Sequence, residues 1–346
     1  MNTENRGVAV LVAAYNAEST IRQCIDSLLQ QTVGDIEVVC IDDCSTDGTH
    51  DILQEYANKD HRVIVLSTEV NSGQAIARNI GLQTVKKPFV CMVDADDWLS
   101  ADALETAMNV FDLYPQTDCV LFRLMKFFDG EKDVDKCIIE YPLPQKLVDG
   151  GCLTGKEAIR MSIDGWQLHG LYVTRTELHR QIPFDTTTRL YSDDNTTHLH
   201  FLHSREVRAC QGKYFYRQHP SMTSRFNIHH FDLIEANYSL KRKLVAEKVD
   251  EDVISCFEQR RWCNFVVMYR TYLKHKSNMN EEQRHEMERR LQVMLKTFSS
   301  KELQPMTSSK PGYWLLQNTK AFDIQQKMYM IYKRLFDGSY ISEQLA

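Results

Sequence analysis

The first 125 residues alternate between short apolar runs and stretches in which apolar residues recur every three or four positions. Val8-Ala9-Val10-Leu11-Val12-Ala13 is apolar throughout, the pattern of a strand buried on both faces. Ile21, Ile25, Leu28 and Leu29 follow at helical spacing. Residues 36–41 predict a second strand, and Asp47 or Thr49 can cap a helix carrying Ile52, Leu53 and Tyr56. A third strand is expected at 63–66, then a helix from Gly73 to about Thr84. A fourth strand spans 89–93, with Ser100 as the expected cap of a helix through Phe111, and a fifth spans 119–122. Continuous apolar strands separated by helices predict a doubly wound α/β unit with a parallel sheet covered on both faces.

The pattern breaks between 124 and 150, where Asp129-Gly130, Pro142, Pro144 and Gly150-Gly151 predict a hairpin or excursion. Thr154-Gly155-Lys156-Glu157 has the spacing of a capping box, and 171–173 and 213–216 read as further strands. Beyond about 230 the chain turns to long helical patterns, with breaks near 278 and 299. The expected organisation is one domain over 1–230, divided near 125 into two halves, followed by a mostly helical region over 231–346.

Charge and cysteine usage narrow the possibilities. Residues 1–230 carry a net charge of −10 and residues 231–346 a net +4. An acidic front half argues against a nucleic-acid partner, because phosphate binding is driven by Lys and Arg. The ten cysteines include no CxxC pair, so neither a zinc ribbon nor a redox motif is indicated. The N-terminus lacks a secretory pattern, and no apolar run near it approaches the ~20 residues of a membrane span. A cytoplasmic protein is expected.

In a doubly wound sheet, ligands bind beyond the carboxyl ends of the strands. The segments there are polar: Ala14-Tyr15-Asn16, Asp42-Asp43-Cys44-Ser45, Asn71-Ser72-Gly73 and Asp94-Ala95-Asp96-Asp97. Three carboxylates within four residues repel one another unless a cation or hydrogen-bond donors compensate. Hard divalent ions take such oxygen ligands and complete their shell with phosphate oxygens. Asp42 and Asp43 allow two readings, a helix-start cluster or an acceptor for a ligand N–H.

Together these tips resemble the nucleotide-sugar domain of family-two glycosyltransferases of the GT-A fold. The matching segments are Ala13-Ala14-Tyr15-Asn16 with Ile21, Cys24-Ile25-Asp26-Ser27 and Gln31; Asp42 to Asp47; Asn71-Ser72-Gly73 with Ala77-Arg78-Asn79-Ile80-Gly81; and Asp94-Ala95-Asp96-Asp97. Ala14 and Cys44 depart from the family's usual residues without removing a chemical group. The resemblance implies that Tyr15 packs on the nucleotide base, with backbone contacts from Ala13 and neighbouring contacts from Asn16, Asn71, Arg78 and Ala95. It also implies that Asp43 accepts a uracil N–H, that Asp94 meets the ribose, and that Asp96 or Asp97 holds Mn²⁺ or Mg²⁺ against the diphosphate of a UDP-sugar.

Downstream, Ser192-Asp193-Asp194-Asn195 resembles the family's acidic pair, with Asp193 where Glu is usual. Asp194 is then the expected catalytic base and Asp193 its supporting residue; a plain helix N-terminus is the other reading. Tyr216 to Thr223 resembles a segment that closes over the diphosphate, in which Arg217, His219 and Ser221 would meet phosphate; a surface turn around Pro220 is the other reading. His198, His200 and His203 fall at 0°, about 200° and about 140° around a helix, so a structural role is expected. Trp166 and His169, set between Gly165 and Gly170, read as ordinary core residues ahead of an acceptor pocket.

The expected function is metal-dependent inverting transfer of a sugar from UDP to a hydroxyl of a glycan or lipid-linked glycan. The alternatives are a nucleotide-sugar-binding protein without catalysis and a sugar-nucleotide pyrophosphorylase. The pyrophosphorylase expects a Gly-rich loop after the first strand, where this chain has Ala-Tyr-Asn. In the tail, residues 328–336 mix aromatic and basic side chains. Packing within the protein is favoured there over peripheral contact with the inner membrane face.

Overall fold

The computed structural model describes residues 6–130, 137–218, 227–303 and 311–336. The chain divides into two compact units, residues 1–225 and 226–346.

The first unit opens with the expected alternation: β1 (Val8–Ala14), α1 (Ile21–Leu29), β2 (Ile36–Asp42), α2 (Thr49–Lys59), β3 (Val63–Ser67), α3 (Gln74–Thr84) and β4 (Phe89–Met92). These four strands run parallel, with β1 between β2 and β4. Alternate side chains leave each strand on opposite faces. Val8, Val10 and Val12 therefore join Ile21, Ile25, Leu53 and Leu104 on one face, while Ala9 and Leu11 meet Ala75, Ala77 and Leu82 on the other. Two buried faces explain why these strands are continuously apolar. Strand order reverses at the β1–β4 pair, which opens a crevice at their carboxyl ends.

Beyond β4 the sheet departs from the parallel expectation. After β5 (Trp98–Leu99) and α4 (Ala103–Leu113), the predicted fifth strand lengthens into β6 (Thr117–Phe128). It does not pair with β4. Instead β8 (Tyr172–Arg175) lies between them, antiparallel to both. β9 (Glu206–Gln218) then runs parallel to β6, giving the order β3-β2-β1-β4-β8-β6-β9-β5. The sheet is therefore mixed. β7 (Ile138–Glu140) folds back on β6 as the anticipated hairpin.

Local signals differ in how well they survive. Thr154 forms the complete capping box with Glu157 at the start of α6 (Gly155–Ile163), which follows the short α5 (Gln145–Val148). Ser100 does not cap α4. Its hydroxyl donates to Asp102 and accepts from the Lys213 N–H, because β5 pairs with β9 at this point. α7 (Thr176–Gln181) and α8 (Ser192–His203) complete the unit.

The second unit is helical: α9 (Asp232–Ala246), α10 (Glu251–His275), α11 (Glu281–Leu295) and α12 (Thr319–Phe336). Its core gathers Trp262, Phe265, Met287, Leu291, Phe298 and Phe322. Among the described residues, no helix is long and apolar enough to cross a membrane.

Candidate active site

The tips of β1 and β2 brace one another. Asn16, in the left-handed region at φ 52°, donates its N–H to Ser45 Oγ, and its side-chain oxygen accepts from Thr46 N at 2.8 Å. The neighbouring Tyr15 stays half exposed, so its ring is free to cover a ligand. Asp43 is buried and organises the loop after β3. It accepts from Thr68 Oγ1 at 2.8 Å, Ser72 N at 2.9 Å and Gly73 N at 2.7 Å. Gly73 adopts φ 91°, a conformation that favours glycine, and the Arg189 side chain passes over it to bond Asn71.

Below this loop, Arg78 projects from α3 with only 4% of its surface exposed. Its guanidinium pairs with Asp94, lies 3.9 Å from Asp193 and sits 5.2 Å over the Phe184 ring. One arginine thus links the strand-four tip to the downstream acidic pair.

Asp94, Asp96 and Asp97 each offer a carboxylate oxygen, all within 4.8 Å of one another. Their positions depend on β9. Tyr214, fully buried, accepts from Asp94 N at 3.1 Å and donates to Asp97 Oδ2 at 2.8 Å. Asp97 Oδ1 accepts the Arg217 N–H at 2.8 Å. Burial and the Asp94 and Asp96 charges push Asp97 up to about 9, with the Arg217 and Tyr214 bonds opposing. Burial also raises Asp94, opposed first by the Arg78 charge. Three converging hard oxygen donors are a suitable cradle for Mg²⁺ or Mn²⁺, which would relieve the repulsion that, with burial, raises Asp94 and Asp97.

Arg217 is anchored by Asp96 O at 2.9 Å, Asp129 at 3.1 Å and Gln23 at 2.5 Å, over the Trp98 ring. It secures the backbone of the carboxylate turn. His219 and Ser221 lie outside the described residues.

Asp193 and Asp194 lie in the first turn of α8, whose preceding residue Tyr191 adopts the left-handed conformation. Asp194 N donates to Asp193 Oδ1 at 3.2 Å. Burial, and then the Asp193 charge, raise the Asp194 carboxyl well above its ordinary range. A cavity of about 410 Å³ joins this pair to the strand-four tip, with Asp94, Arg78, Trp166 and Tyr216 among its walls.

Trp166 and His169 therefore line the cavity, where the sequence suggested ordinary core positions. Trp166 sits at φ 55° and its carbonyl accepts the Tyr141 hydroxyl at 2.5 Å. Burial lowers His169 to about 4, so it is neutral near pH 7. Tyr141 and Tyr214 are not singled out in the sequence because each lies far along the chain from the residues it touches; Tyr216, read there as the start of a segment over the diphosphate, lines the same cavity. The expected structural role of the α8 histidines agrees with their contacts: His198 bonds Ser162, and His200 bonds Tyr172 and the Ile182 carbonyl.

An acid-rich cavity thus opens at the carboxyl ends of a partly parallel α/β sheet, beside the point where strand order reverses, the usual place for a ligand in such a sheet. The family model for glycosyl transferase family 2 matches residues 9–160. Residues of this chain are 36% identical over 124 positions to glycosyltransferase GlyA of Streptococcus pneumoniae, covering 36% of this chain and 18% of that protein. They are 38% identical over 120 positions to the poly(ribitol-phosphate) beta-glucosyltransferase of Bacillus spizizenii, covering 34% and 19%. The chain thus spans under a fifth of the length of either relative. S. aureus TarS 1-349 in complex with UDP-GlcNAc shares the fold, with a TM-score of 0.69 at 20% identity over 98% of this chain and 94% of that one.

Proposed function

We propose that this chain transfers a sugar, with inversion, from a UDP-sugar to a hydroxyl of a glycan or lipid-linked glycan in cytoplasmic assembly of a surface polysaccharide. The observation that carries this reading is the shared cavity of about 410 Å³, where Asp94 of the strand-four tip and the α8 acidic pair face one space, with the Asp96 and Asp97 carboxylates within 4.8 Å of Asp94. The names of the two bacterial relatives and the UDP-GlcNAc in TarS support the substrate class.

In this reading Tyr15 covers the base, and Asp43, which already holds the Ser72–Gly73 turn, fixes the loop beside it. Asp96 and Asp97, with Asp94 beside them, would hold a divalent cation, which supplies positive charge against the leaving diphosphate. The new bond forms between the acceptor oxygen and the anomeric carbon as the bond from that carbon to the diphosphate oxygen breaks. Asp194 takes the acceptor proton. Burial and the neighbouring Asp193 charge raise its affinity for that proton.

The test is a panel of UDP-hexoses and UDP-N-acetylhexosamines, with Mn²⁺ or with chelator, read by UDP release. Release from one donor, lost on chelation, is expected. Asp194→Asn should lower turnover by ~10²–10⁴-fold with UDP affinity unchanged. UDP binding without turnover of any donor, with acceptor extracts present, would favour the non-catalytic binder. Absence of UDP binding would overturn the reading.

A further inference from the structure

The last helix of the second unit is apolar on two opposite faces. Phe322 and Gln326 are fully buried on one side, Phe322 within the aromatic core around Trp262 and Phe265. On the other side, Ile324, Met328, Ile331, Tyr332 and Leu335 are 58–69% exposed. Spacings of four, three and four residues from 324 to 335 place them in one stripe, about 17 Å long at ~1.5 Å per residue. An uncovered stripe of this kind is unfavourable in water and marks an interaction surface.

The surrounding charge selects the partner. Lys320, Lys327 and Arg334 recur every seven residues, which keeps them on one side of the helix along the edge of the stripe. All three are exposed. Lys327 also pairs with Asp323 at 2.6 Å, the helix's one acid, so the helix carries a net charge of +3 with Lys333 included. Five side chains are far fewer than the roughly 20–30 residues per side of a stable protein interface. A narrow apolar stripe edged by lysine and arginine instead fits the boundary between anionic headgroups and acyl chains.

We infer that α12 docks this protein in-plane on an anionic lipid surface, with Ile324, Met328, Ile331, Tyr332 and Leu335 entering the acyl boundary and Lys320, Lys327 and Arg334 meeting lipid phosphates. The sequence posed packing and membrane contact as alternatives for this helix. Its two faces serve one each.

The test is co-sedimentation of the full chain with vesicles of phosphatidylcholine alone or containing phosphatidylglycerol. Binding is expected only to the anionic vesicles and should weaken as salt rises. Met328→Glu with Leu335→Glu should abolish it. Lys320→Glu with Arg334→Glu should weaken it by at least ten-fold, since each basic residue near such a surface is worth about five-fold. Both double variants alter exposed side chains, and an unchanged circular dichroism melt verifies their fold. Failure of the wild type to bind anionic vesicles overturns the inference, as does unaltered binding by folded variants. Light scattering on the same samples covers the competing occupant: a wild-type dimer made monomeric by Met328→Glu with Leu335→Glu, without vesicle binding, assigns the stripe to a second copy.

Discussion

Replacing Tyr214 by Phe removes a single oxygen that holds both ends of the carboxylate turn. The ring stays, with its packing near Phe122 at 6.3 Å between centroids. Two bonds are lost, one to Asp97 Oδ2 and one from the Asp94 N–H. A buried donor left without an acceptor costs about 1–3 kcal/mol. The bond to Asp97 adds about 0.5–1.5 kcal/mol when the carboxyl is protonated, the state favoured below about 9. Some relaxation toward water in the cavity offsets part of this, so about 2 kcal/mol of local stability should disappear. That corresponds to about a 30-fold faster opening-limited exchange of the Asp94 amide. Hydrogen exchange read by mass spectrometry on peptides spanning 93–97 measures it directly. Tyr216→Phe, on the same strand and half-buried, is the control and should leave that amide unchanged. Exchange within about three-fold of wild type would refute the argument that β9 secures this turn.

Other expectations follow from named contacts. Thr154→Ala dismantles the α6 capping box and should cost about 1 kcal/mol in urea unfolding; a loss under a few tenths would show the box to be redundant. Gly155→Ala places a Cβ 2.5–2.7 Å from the Ser204, Leu202 and Phe201 carbonyls. It should displace the end of α8, lowering both the melting temperature and any transfer that depends on Asp194. Burial raises the Asp118 carboxyl, but bonds and charge from Arg205 and Arg175 outweigh it and hold it below its ordinary value. That contribution is present above the unfolded value of about 3.9 and is lost as pH falls through the lower folded value. The acid limb of a stability–pH curve should therefore flatten in Asp118→Asn. In the second unit, Arg261→Ala strands the fully buried Glu258 with Lys241 as its remaining cation. A loss of about 3–5 kcal/mol is expected from breaking such a pair, measured as a shift in the denaturation midpoint.

The strand-tip part of the candidate site was legible as polar loops because its residues are local to strand ends. Tyr15, Asn16, Asp43 and the Asp94–Asp97 run each follow a strand that its own apolar residues define, and the fold places such tips in one crevice. The opposite wall of the cavity was less legible. Trp166 and His169 carry no period or motif that distinguishes a cavity wall from a core, and Tyr141 shares a hydrogen bond with Trp166 across 25 residues of chain.

By itself, the sequence determined the alternation of strands and helices through β4, the polarity of the strand tips, the capping box at Thr154 and the helical tail. Each is set by side-chain period or by hydrogen bonds spanning a few residues, so neighbours in sequence suffice to specify it. The tertiary structure alone decided that β8 intervenes between β4 and β6, that β5 pairs with β9 and displaces Ser100 from its expected cap, and that Tyr214 reaches back 120 residues to Asp94. It also decided that the apolar residues of α12 divide between a buried face and an exposed one. These outcomes depend on which distant segments compete for the same hydrogen bonds and the same buried surface, a competition resolved only when the whole unit packs.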